Sequence, residues 1–196
     1  MPSLIDAERQ YYVVKEKFWD WGSGDINDES GTTIGKMDRK FLSLRAKIDV
    51  TEADGTPLFS VSKKLMSIRK SYDIKDENDE LIGRTKKKIF TFFKPRMWME
   101  DPDGRKLLTA EGSFTGWNFT IKDNMGQLIG RVSKSDRLRD IFLGGVFDFS
   151  DTYVLQVTEP SFDRRLLLGL VIAIDNSVHD NRRSGSGGSG LKIGRF

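Results

Sequence analysis

From about residue 11 to residue 157 the chain alternates. Ile48 and Val50 are set against Asp49 and Thr51, Trp98 against Met97 and Met99, and Phe119 and Ile121 against Thr120 and Lys122. A two-residue period is that of a strand with one face buried. Near the C-terminus the pattern changes. Leu166 to Ile174 reads LLLGLVIAI, nine apolar residues or glycines with no polar position among them. A helix that is apolar all round is buried in a core or in a membrane. A bilayer span takes about 20 apolar residues, so this run predicts a buried helix, placed over Asp163 to Val178.

The strands come in a repeat. RKFLSLRAKIDV from Arg39, KKLMSIRKSYDI from Lys63 and KKIFTFFKPRMW from Lys87 align without a gap at a spacing of 24 residues. Ser43, Ser67 and Thr91 fall in register, as do Leu44, Ile68 and Phe92. The connectors repeat as well: Gly31, Gly55, Asp79, Gly104 and Gly126 each precede Ile34, Leu58, Ile82, Leu107 and Ile129 by three residues. Ala53-Asp54-Gly55, Pro102-Asp103-Gly104 and Asn124-Met125-Gly126 carry the residues that tolerate positive φ, and Asp76 to Glu80 is a turn of the same kind without glycine. Each unit reads as strand, acidic turn, strand. Four or five such hairpins give ten to twelve antiparallel strands and leave no room for a βαβ unit.

So many strands in one sheet curl or close, and a barrel of about eleven can hold a central helix. The lengths agree. Sixteen helical residues span about 24 Å, and a strand of seven residues about 23 Å. The expected fold is mainly β: a closed antiparallel barrel of about twelve strands around a central hydrophobic C-terminal helix. Leu166, Leu167, Leu168, Leu170, Val171, Ile172 and Ile174 form the helix core, and Gly169 lets a strand pass close to the axis. Two stretches depart from the repeat. Phe18 to Asp28 is expected to be the first hairpin with an irregular loop. Ser133 to Phe149 is an insertion in which Leu138, Ile141, Phe142 and Leu143 form a short amphipathic helix or an apolar loop. Residues 1–10 are read as an N-terminal extension, 11–181 as the barrel domain, and 182–196 as a flexible, basic Gly/Ser tail.

Composition narrows the chemistry. There is no cysteine, which excludes disulfides, thiolate metal sites and a cysteine nucleophile. The one histidine, His179, is expected near the helix C-terminus in a surface or capping role. The N-terminal stretch has no basic segment followed by an apolar run, so no signal peptide is expected. Asp25-x-Asn27-x-Glu29 opens like a calcium loop, but Gly31 falls one place late and no glutamate closes it, so it reads as a turn. The motifs of serine hydrolases, P-loops and zinc proteases are absent. No catalytic residue, metal or cofactor is expected.

Charge singles out the middle of the chain. Residues 34–96 carry sixteen Lys and Arg against nine Asp and Glu, whereas residues 1–33 carry three against seven. Arg39, Lys40, Lys63, Lys64, Arg69, Lys70, Arg84, Lys86, Lys87, Lys88, Lys94 and Arg96 fall on adjacent repeats. A 24-residue period in an antiparallel barrel sets equivalent strand ends side by side, so Lys63-Lys64 and Lys87-Lys88 are expected to gather at one rim, near Arg39-Lys40. Each basic residue near an anionic membrane adds about 1 kcal/mol of attraction. Phe90, Phe92, Phe93 and Trp98 are interleaved with them, and alternation assigns at least half of these to the core.

YVVKEKF at 12–18, the FLSLR-type repeats, TFFKPR at 91–96, DTYVLQV at 151–157 and LLLGLVIAIDNSVHD at 166–180 together resemble the LURP-one-related family. That family shares its fold with tubby C-terminal domains and phospholipid scramblases. The resemblance covers residues 11 to 181 and implies a twelve-stranded barrel around a C-terminal helix; the insertion at Asp136 to Val146 departs from it. It implies no settled activity, although tubby domains bind phosphoinositides; no lipid-binding residue is carried over. With the basic rim it leads to an expected non-catalytic module that binds anionic phospholipid headgroups, cytoplasmic and peripheral on membranes. Nucleic-acid binding by the same patch and scramblase-like activity are the alternatives.

Overall fold

The structure is a computed structural model; it describes residues 3–15, 23–40, 47–64, 71–87, 96–113, 118–134 and 152–185. Its strands in chain order are β1 (Tyr11–Lys15), β2 (Ser23–Asn27), β3 (Thr33–Lys40), β4 (Lys47–Glu52), β5 (Pro57–Lys63) and β6 (Ser71–Asp76). Then follow β7 (Leu81–Lys87), β8 (Arg96–Glu100), β9 (Lys106–Ser113), β10 (Asn118–Asp123), β11 (Leu128–Lys134) and β12 (Thr152–Val157). Each is antiparallel to its sequence neighbour, and β1 pairs with β12 and with β2, so the sheet closes on itself. One helix, α1 (Arg164–Gly185), follows.

Alternation decides which residues enter the barrel. Met37 pairs with Val50, Val50 with Phe59, Ile48 with Val61, Val61 with Ile74, Met97 with Ala110, Ala110 with Ile121, and Phe119 with Val132. All of these are at most 3 % exposed and share the inner face. The helix fills the space they enclose. Leu167, Leu170 and Ala173 are fully buried, and Leu166 is 9 % exposed. Leu166 lies over Gly83 of β7, and Gly169 faces Ile74 of β6. The apolar run therefore has barrel wall around it, and no helix among the described residues is long and apolar enough to cross a membrane.

The five short hairpins share one construction. Gly31, Gly55, Asp79, Gly104 and Gly126 all have positive φ, and the N–H of each bonds the carbonyl three residues earlier. The strand register slips by one residue beside each turn. That is a type I turn closed by a bulge whose last residue is left-handed. An aspartate carboxylate stiffens each: Asp76 Oδ1, for example, accepts the N–H groups of Asn78 at 3.0 Å and Glu80 at 2.9 Å.

The helix differs from expectation at its end. It runs to Gly185, past His179 and past residue 181, so His179 lies within it and not at its C-terminus. The apolar run sets only the enclosed part; the residues that follow include no proline, and the first glycine after Gly169 is Gly185. The start is capped by Asp163, whose Oδ1 accepts the Arg165 N–H at 2.8 Å. Enclosure also reaches beyond the apolar run: Asp175 and Ser177 are 0 % exposed. Asp25 and Asn27 belong to β2 and Glu29 to the turn after it, so the calcium-like spacing is divided between strand and turn. Phe18, Leu138, Ile141, Phe142 and Leu143 lie outside the described residues, as do residues 186–196 of the tail.

Candidate functional site: the basic end of the barrel

The barrel has two unlike ends. The short hairpins, and the entry of α1, lie at one. The strand ends of β3, β5 and β7 lie at the other, where Arg39, Lys40, Lys63, Lys64, Lys86 and Lys87 gather, with Arg96 at the start of β8. The 24-residue period causes this, because each repeat is one up-and-down pair and returns the chain to the same end. Lys47, at the start of β4 and opposite Lys40, belongs to the same end. Arg69, Lys70, Lys88 and Lys94, and the aromatic residues Phe90, Phe92 and Phe93, lie outside the described residues. Trp98 sits on the outer face, half-buried, with Nε1 donating to Glu100 at 2.7 Å.

Alternation divides the cluster. Arg39 pairs with Ile48, Lys63 with Tyr72 and Lys87 with Met97, all buried partners on the inner face. These three cations, spaced by 24 residues, therefore hold inward register positions at the mouth, and all are half-buried. Lys64, Lys86 and Arg96 hold outward positions, and Lys64 is exposed.

The outward set is partly balanced by carboxylates. Lys86 Nζ meets Glu100 Oε2 at 2.5 Å, and Arg96 pairs with Glu111. Further from the mouth, Arg84 forms a two-toothed contact with Asp73, at 2.5 and 3.2 Å. Burial alone would raise the Glu100 carboxyl, but the hydrogen bonds from Lys86 and Trp98 outweigh it and hold the group below its ordinary range. The Asp73 hydrogen bond raises the Arg84 guanidinium further. Glu100 and Glu111 come from later strands than the lysine repeats, so only the strand register reveals that they meet Lys86 and Arg96.

The opposite end is acidic. Asp28, Glu52, Asp76, Asp101 and Asp123 recur there, one per short hairpin, with Asp54, Glu77, Asp79, Glu80 and Asp103 at the tips. A groove of about 370 Å³ runs along the outer wall, lined in part by Asp38, Lys47, Asp49, Asp76, Glu77 and Asp79.

The turn end is also where the N-terminal residues lie. Leu4 is fully buried beside Gly35, and its N–H donates to Glu52 Oε2 at 2.7 Å. The Tyr12 hydroxyl donates to the Leu4 carbonyl at 2.9 Å. Burial pushes the Tyr12 hydroxyl up to about 12 against the opposing pull of Arg164 and Arg9. Residues 3–10 thus precede the first strand and still pack on the barrel. A lone leucine in a polar stretch carries no period, so nothing in the local pattern marks it as core.

A closed antiparallel barrel wound around its own C-terminal helix defines the tubby-like class of fold. A solved crystal structure of a protein from Arabidopsis thaliana has this architecture, with a TM-score of 0.60 at 13 % identity over 89 % of this chain and 97 % of that one. Residues 11–175 match the LURP-one-related family model, and the chain belongs to that family. No curated protein matches it in sequence.

Proposed function

We propose that the chain is a non-catalytic binding module whose basic mouth takes the phosphate-bearing headgroups of anionic membrane lipids, phosphoinositides among them. The observation that supports this reading is the strand register, which gathers Arg39, Lys40, Lys63, Lys64 and Lys87 at the end opposite the acidic turns. A charged surface of this polarity orients the barrel with its mouth on the membrane and its turns away. At about 1 kcal/mol for each basic residue held near an anionic surface, four of them supply about 4 kcal/mol, or roughly a thousandfold in partition.

Flotation with vesicles tests it. Recovery is expected with phosphatidylcholine vesicles containing phosphatidylserine or a phosphoinositide, to fall with added salt, and to be absent with phosphatidylcholine alone. Replacing Lys40, Lys63, Lys64 and Lys87 together by glutamate is expected to abolish it while the circular dichroism spectrum stays native. Equal recovery from neutral and anionic vesicles overturns the proposal. A soluble inositol phosphate that competes fully separates headgroup recognition from attraction to a charged surface.

A further inference from the structure

The residues that close the turn end, Ser3 to Arg9, lie outside the family match and make no strand. They are nevertheless bound closely, and the manner of binding is unlike that of a core segment. In a core, most backbone groups find other backbone groups. Here side chains of the barrel bind the backbone of the strap. Glu52 accepts both the Leu4 N–H and the Ser3 hydroxyl, each at 2.7 Å. Tyr12 donates to the Leu4 carbonyl, and Arg164 Nη2 donates to the Ala7 carbonyl at 2.5 Å. Arg9 pairs with Asp28 at 3.8 Å.

One apolar side chain anchors the strap. Leu4 occupies the space before Gly35, where a Cβ would stand 2.8 Å from Leu4 Cδ2. The glycine therefore makes a pocket of leucine size in the barrel wall. The arginine that holds the Ala7 carbonyl keeps a spare donor. Arg164 is 3 % exposed, its two terminal nitrogens are engaged by carbonyls, and its Nε–H has no hydrogen-bond partner. A buried N–H left unsatisfied is costly.

A leucine pocket, a carboxylate that reads an N–H and a hydroxyl together, and two donors aimed at carbonyls constitute a recognition site for a short peptide. We infer that the turn end of the barrel is a peptide-binding socket whose resident occupant is the chain's own segment Ser3–Arg9. A peptide carrying the same Ser-Leu pair, offered by another molecule, exchanges with it. The tethered occupant acts at an effective concentration of the order of millimolar, so it masks the socket from dilute peptide.

The test uses the full chain and a fluorescein-labelled peptide, PSLIDAERQ, read by fluorescence anisotropy. The Leu4→Ala chain, whose own anchor is shortened, is expected to bind the peptide at least tenfold tighter than the unmodified chain does. Adding Glu52→Ala to that chain, or using peptide with Leu4→Asp, is expected to remove the binding. No binding to a natively folded Leu4→Ala chain overturns the inference, and so does equal binding of the two peptides. Should Leu4→Ala fail to fold, amide exchange on the unmodified chain decides. The Leu4 amide must exchange at least tenfold faster than that of Ile121, by local opening; exchange as slow as that of Ile121 makes the strap fixed core. This socket lies at the opposite end from the basic mouth, so either can fail without the other.

Discussion

Gly169 is the point at which the enclosed helix can be tested most directly. On an exposed helix, Gly→Ala gains about 1 kcal/mol, because alanine loses less backbone entropy on folding. Within the barrel, the added methyl would stand 2.9, 3.1 and 3.2 Å from Cγ1, Cδ1 and Cγ2 of Ile74. Ile74 is fully buried and branched at Cβ, so it has no free rotamer into which to retreat. Overpacking of this kind costs about 1–3 kcal/mol, the upper part of that range applying where two branches of the neighbour are met at once. The net expectation is a loss of about 1–2 kcal/mol, opposite in sign to the propensity. Urea unfolding followed by tryptophan fluorescence and circular dichroism measures it. A double-mutant cycle supplies the cause. Ile74→Ala alone should cost about 2–5 kcal/mol. In that background Gly169→Ala should stabilise, since all three obstructing carbons are gone, giving a coupling above about 1 kcal/mol. If Gly169→Ala stabilises the unaltered chain, or the two effects add, α1 does not pack on β6 and the enclosure is refuted.

Four further outcomes follow from the same geometry. Gly104→Ala should cost about 1 kcal/mol in urea unfolding, all of it conformational, because φ is 85° and an added Cβ meets nothing within 4 Å; Asp79→Gly, at the one turn whose left-handed residue has a side chain, should raise the melting temperature. The buried Tyr12 hydroxyl is raised from 10.0 to about 12. It therefore contributes stability that is fully present below pH 10 and lost as the pH climbs toward 12, about 2–3 kcal/mol in all. Tyr12→Phe should lack that loss in alkaline urea titrations, and an identical alkaline profile would refute it. Glu100, held below the ordinary carboxylate range, contributes stability at neutral pH that is lost as the pH falls through its folded value; Glu100→Gln should flatten the acid limb of the stability curve.

Much of this protein was legible along the chain. A two-residue alternation sets Trp98 on the face opposite Met97 and Met99 wherever the strand stands; that the methionines take the inner face and Trp98 the outer one is what the structure adds. The 24-residue repeat and its five left-handed turn positions are local chemistry, and each of the five has positive φ. An apolar run with no polar face has to be enclosed, and the barrel encloses it. Tertiary structure decided what depends on residues distant in the chain. Glu100 and Glu111 meet Lys86 and Arg96 through strand register alone, and Leu4 becomes core only because Gly35, Glu52, Tyr12 and Arg164 converge upon it. Periodicity records which side of an element is dry; it holds no record of which element comes to lie beside it. That is settled by sheet closure, which pairs the first strand with the twelfth across the ten between them.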